Sequence, residues 1–137
     1  MEHNGILGGE GSGGVAVPEV HATHDSAAAI GLILERLAHS GERLSEAVQQ
    51  LPRLVMLKHN VSVAPHRLYS MLQSFRTEIE RGQFPCDLTD GIRVELPEGW
   101  VHVRASNTES MIRIIVEAEQ LSGARKLLDW ARDRLKR

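Results

Sequence analysis

The chain has 137 residues, with 16 Lys and Arg against 18 Asp and Glu. That length allows one domain, or one domain and part of another. The near balance of charge gives no support for general attraction to nucleic acid or membrane, so any anion site has to be a local arrangement. Cys86 is the single cysteine, which excludes an internal disulfide and a cysteine-rich zinc site and points to a reducing cytoplasm. The opening residues lack the basic start and apolar core of a signal peptide, and no apolar run reaches the ~18 residues needed to cross a bilayer.

The first fourteen residues hold six glycines without periodicity and read as a loop. Asp25 is placed to cap a helix carrying Ala29, Leu32, Ile33 and Leu37 on one face, with Gly41 just past its end. A shorter helical turn follows through Leu44, Val48 and Leu51, stopped by Pro52. Two small helices on a glycine loop bury little, so residues 1 to 51 read as the remainder of a domain whose sheet lies elsewhere.

From Leu54 the pattern is self-sufficient. Residues 54 to 63 are rich in Val and Leu and read as a strand. Pro65 suits a first helical position, Leu68, Leu72, Phe75 and Ile79 form an apolar stripe on which Tyr69 is also expected, and Gly82 supplies a stop. Asp90-Gly91 turns the chain into Ile92, Val94 and Leu96, which alternate with Arg93 and Glu95. Pro97-Glu98-Gly99 turns it again, and Val101 and Val103 alternate with His102 and Arg104. Ile112, Ile114 and Val116 then alternate with Arg113, and a last helix of about 121 to 136 carries Ala124, Leu127, Leu128, Ala131 and Leu135 inward. The order predicts an α+β, two-layer sandwich: a four-stranded antiparallel sheet with two helices on one face, preceded by a loop and two short helices.

The segment R-A-S-N-T-E-S-M-I-R, residues 104 to 113, has the composition of a phosphate site. Arg104 and Arg113 each offer a planar fork of N–H donors. Ser106, Asn107 and Thr108 add hydroxyl and amide donors on a turn that suits anions. With the valines and isoleucines turned to the helices, both arginines face the other way, on either side of one loop. The plainer readings are a hairpin loop with two solvated arginines, or a capping box from Ser106 and Glu109.

The other motif, Gly8-Gly9-Glu10-Gly11-Ser12-Gly13-Gly14, fits G-x-G-x-x-G in letters but has no strand before it and no helix opening from it. It also has no lysine for a P-loop. It reads either as a flexible tail or as a loop bringing Glu10 and Ser12 to sugar hydroxyls. His21 and His24 lack a third metal ligand. The basic last helix reads as a solvated face or as a nucleic-acid stripe. Neither catalytic residues nor a metal site are assigned in the chain.

Taken together, G-G-E-G-S-G-G and R-A-S-N-T-E with Arg113 resemble the sugar-recognition and phosphate-binding loops of the α-D-phosphohexomutases. That superfamily includes phosphoglucomutase/phosphomannomutase and phosphoglucosamine mutase. D-S-A-A-A-I-G-L-I-L-E-R-L-A, followed by L-S-E-A and Leu-Pro, is similar to the helices that end the family's third domain. The resemblance implies that residues 1 to 51 belong to an incomplete third domain and that 54 to 137 form a C-terminal phosphate-binding domain with a TATA-binding-protein-like sandwich. It further implies that Glu10 and Ser12 bond ring hydroxyls of a phosphosugar, and that Arg104, Ser106, Asn107, Thr108 and Arg113 hold the phosphate that is not transferred.

The family's chemistry interconverts hexose 1-phosphate and hexose 6-phosphate, and it uses a phosphoserine and Mg²⁺. Neither T-x-S-H-N-P nor D-G-D-G-D occurs in these residues. The implied cofactors and the upstream domains that act as partners would therefore belong to a longer parent enzyme, and no turnover is expected of this chain alone. No nucleic-acid or membrane partner is expected. Ser110 stands where many members have Pro, a departure expected to loosen the loop, and Gly14 stands where some have His. The alternatives are a free-standing phosphate-ligand module and a small nucleic-acid-binding α+β domain.

Overall fold

The computed structural model describes residues 5–9 and 13–136, and it divides after Pro52 into two units. In the first, the glycine-rich stretch is more than a loop: β1 (Gly8–Gly9) pairs antiparallel with β2 (Val15–Ala16). The Asp25 N–H donates to the Val15 carbonyl at 2.9 Å, tying β2 to the start of the first helix. That helix, α1 (Ser26–Ser40), is capped by Asp25, whose Oδ1 accepts from the Ala28 N–H at 3.0 Å, and it ends at Gly41 with φ 70°. Asp25 and Gly41 thus do what their residue types favour, one by a short acceptor side chain and the other by a left-handed backbone.

The Glu46 carboxylate accepts from the Arg43 N–H at 2.7 Å to open α2 (Leu44–Gln49). Between the two helices, Glu42 accepts from Arg36 at 2.9 Å and from Gln50 at 2.7 Å. The Arg36 hydrogen bond is the main cause that holds the Glu42 carboxyl below the ordinary carboxylate range. None of the described residues of this unit is buried, and on α1 Ile30 and Leu34 are 58% and 61% exposed.

Among the described residues, every buried one lies in the second unit. β3 (Val55–Ser62) leads into α3 (Pro65–Arg81), with Pro65 in the first turn where its missing N–H costs nothing. α3 ends at Gly82 in ordinary helical conformation, and the left-handed residue is the next one, Gln83, at φ 55°. A short strand, β4 (Cys86–Asp87), follows, then β5 (Ile92–Leu96), β6 (Gly99–Ala105), β7 (Met111–Ala118) and α4 (Leu121–Leu135). The sheet is antiparallel in the order β3-β7-β6-β5-β4, with five strands instead of the four expected. β4 adds to the edge by pairing Cys86 with Val94 and Asp87 with Arg93.

Both helices cover one face of this sheet. Val94, Val101, Val103, Ile112, Ile114 and Val116 are fully buried there against Phe75, Ile79, Ala124 and Ala131. Trp130 of α4 meets Phe75 and Phe84 edge to face, with centroids 6.2 and 5.5 Å away. Tyr69 departs from expectation: it is 78% exposed. It sits about 100° round the helix from Leu68, which carries it off the stripe that Leu68, Phe75 and Ile79 bury. None of the described helices is long and apolar enough to cross a membrane.

Candidate functional site

The strict alternation of β6 and β7 decides where the arginines go. Val103 and Ile114 pair across the two strands and are fully buried on the helix side. The neighbouring pair, Arg104 opposite Arg113, therefore lies on the open side of the sheet. Two like charges directly opposite on an antiparallel ladder repel. Among the described residues Arg104 makes no ion pair, and the one made by Arg113 is long: its Nη2 is 3.8 Å from Glu109 Oε2.

The loop between them is short and braced by its own backbone. The Ser106 N–H donates to the Met111 carbonyl at 2.9 Å and the Met111 N–H to the Glu109 carbonyl at 2.8 Å. Asn107 and Thr108 are left exposed at the tip. Ser106 Oγ and Arg113 Nε are buried without a hydrogen-bond partner among the described residues. Orphaned donors of this kind are uncommon in folded proteins. Here two of them fall within the loop and its following strand, beside two repelling cations.

Three further residues shape this corner, and none was singled out for it in the sequence. Asn60 of β3 is in register with Arg113 on its other side, so Asn60, Arg113 and Arg104 form one row across three strands. Gly91 lies against Arg104: at φ 81°, an added Cβ would come within 2.6 Å of both the Arg104 Cβ and the Val103 carbonyl oxygen. His102, two residues before Arg104 on β6, hydrogen-bonds through Nε2 to the Asp90 carbonyl, which fixes the turn that contains Gly91. Strand register is the signal that finds Asn60, and it is a non-local one.

Glu10 and Ser12 lie outside the described residues. Beside them, Gly14 packs under His24, whose ring would be 2.7 Å from a Cβ at that position, so the side chain at 14 is limited by a histidine already present. Among the described residues no three His, Cys, Asp or Glu side chains gather as a metal ion requires. A cleft of about 540 Å³ lies at the far end of the sheet from the loop, but Glu95, Glu98, Glu117 and Glu119 line it against a single Lys126, a charge balance that repels phosphate. Two of the four cations of α4 are matched by acids: Arg134 Nε is 3.3 Å from Glu78 and its guanidinium stacks on Trp130 at 4.1 Å, and Arg132 pairs with Asp129, while just past the helix Lys136 pairs with Asp133. A nucleic-acid stripe is therefore not favoured.

Residues 16–133 match the family model for the C-terminal domain of phosphoglucomutase/phosphomannomutase. The chain is 36% identical over 129 residues to a phosphoglucomutase/phosphomannomutase of Thermococcus kodakarensis, covering 94% of this chain and 28% of that protein. It is 34% identical to a probable phosphoglucosamine mutase of Methanopyrus kandleri, covering 93% and 28%. Its fold superposes on the crystal structure of a phosphoglucomutase/phosphomannomutase family protein from Burkholderia thailandensis with a TM-score of 0.76 at 25% identity, over 96% of this chain and 28% of the other. The chain thus spans under a third of the length of these relatives. It belongs to the phosphoglucomutase/phosphomannomutase family, as a match to that family's C-terminal domain.

Proposed function

We propose that this chain is the substrate-binding C-terminal portion of a cytoplasmic phosphohexomutase that interconverts hexose 1-phosphate and hexose 6-phosphate, an isomerase working by phosphoryl transfer. Its task is to hold the phosphate that is not being transferred. The observation that carries the reading is the Arg104–Arg113 pair, two facing cations of which only Arg113 has a carboxylate nearby among the described residues, Glu109 at 3.8 Å. A bound phosphate relieves their repulsion and supplies oxygens to Ser106 Oγ and Arg113 Nε. Asn107 and Thr108 close over it from the loop tip, and Glu10 and Ser12 read ring hydroxyls. The phosphoserine, the Mg²⁺ and the upstream domains belong to the longer parent enzyme, and this chain alone has no turnover. The open apolar residues of α1 are the surface on which the rest of the third domain rests.

Titration of the 15N-labelled chain with glucose 1-phosphate tests the reading. The backbone amides of Ser106, Asn107, Thr108 and Glu109 should move first and together. Silence of these amides at millimolar ligand would sink it.

Glu109 gives a second, opposite expectation. Its carboxylate competes with phosphate for Arg113, and the pair is exposed enough to be worth only about 0.2–1 kcal/mol. Glu109→Gln should therefore tighten glucose 1-phosphate binding by at most about fivefold at low salt, and weaker binding in this variant would count against the competition.

A further inference from the structure

We propose that Ser110 is a positioning residue for the phosphate loop, acting through its hydroxyl on Val63. The inference rests on the phosphate-holding reading of that loop. Ser110 is the last loop residue before β7. Its Oγ donates to the Val63 carbonyl at 2.7 Å, and its own carbonyl accepts from the Val63 N–H at 3.2 Å. Both backbone polar groups of Val63 are thus engaged by one residue of the loop.

The two bonds differ in what they require of the sequence. The backbone bond continues the β3–β7 ladder one step past the Ser62–Met111 pair, and any residue at 110 can accept it. The side-chain bond needs a hydroxyl. An alanine keeps the first bond, loses the second and leaves the Val63 carbonyl without that donor. Val63 is a firm anchor, since its side chain packs against the core and Pro65 opens α3 just beyond it.

The expectation that Ser110 loosens the loop is therefore reversed. Proline stiffens a chain by fixing its own φ, whereas Ser110 ties the trailing side of the loop to a neighbouring strand. The residue it restrains next is Glu109, whose carbonyl takes the Met111 N–H and whose side chain faces Arg113. Without the hydroxyl, the loop is attached through β6 and β7 and by the single remaining bond to Val63.

The test compares Ser110→Ala and Ser110→Thr with the unaltered 137-residue chain. The alanine variant should bind glucose 1-phosphate about three- to tenfold more weakly, the range of one neutral hydrogen bond. Without ligand, its Val63 and Ser106 amides should exchange with solvent faster by a similar factor, while the core amides of Val103 and Ile114 keep their protection. Threonine should restore both. An alanine variant with unchanged affinity and unchanged exchange at Val63 and Ser106 overturns the proposal, as does acceleration that extends equally to the core. If the unaltered chain gives no response to glucose 1-phosphate, the phosphate reading fails by itself, and the exchange rates still decide whether Ser110 holds the loop.

Discussion

Replacing Arg104 by Ala is expected to weaken glucose 1-phosphate binding by about ten- to a hundredfold, the loss of about 1.5–3 kcal/mol that accompanies removal of one charge-assisted partner. The same substitution should leave the folded sheet as stable as before, or slightly more so at low ionic strength. Arg104 stands opposite Arg113 and among the described residues has no ion pair to lose. Removing it relieves a like-charge cross-strand contact worth roughly 0.2–1 kcal/mol. Binding and stability therefore move in opposite directions, a combination that general damage to the fold does not produce. Isothermal titration and a thermal melt on the same sample measure both. A melting point that falls in step with affinity would show that Arg104 supports the sheet more than the ligand. Retained affinity would remove the arginine pair from the site altogether.

The largest loss of stability is expected from Phe75→Ala. Phe75 has no exposed surface, lies between α3, the sheet and α4, and meets Trp130 edge to face. Truncation leaves a cavity that close neighbours fill only in part, at a cost of about 3–5 kcal/mol. That is a large share of the roughly 5–15 kcal/mol by which ordinary domains are stable. For a unit of this size the melting point should drop by more than about 10 °C. Tyr69→Ala on the same helix is the matched control, since Tyr69 is 78% exposed and surface substitutions of this sort stay within about 0.5 kcal/mol. Equal effects from the two variants would mean that the second layer is not packed as described.

The parts of the fold that rest on local chemistry were readable from the residues alone. Asp25 and Gly41 bound α1, Pro65 opens α3, and alternation in β5, β6 and β7 places the valines and isoleucines against the helices. The arginine pair was equally legible, because a hairpin with a short loop brings its own two arms together. What escaped depends on partners distant in sequence or on very short elements. β4 has two residues, too few to alternate, and exists through its pairing with β5. Tyr69 has the right residue type for a core and the wrong angle on its helix. Asn60 joins the site because β3 pairs with β7, and Val63 holds Ser110 for the same reason.

The pairing of β3 with β7 also sets an order in time. β3 is the first strand of its sheet to be synthesised, and its neighbour in the sheet is β7, the last. Until β7 has left the ribosome, β3 presents unpaired edge groups. Contacts between residues so distant along the chain form slowly. The Asn60 row and the Ser110 tie to Val63 wait on that one event, whereas the Arg104–Arg113 pair needs only the local β6–β7 hairpin. The corner proposed to receive an anion is among the last pieces of the domain to come into being, so a chain that stops short of β7 has neither the complete sheet nor the candidate site.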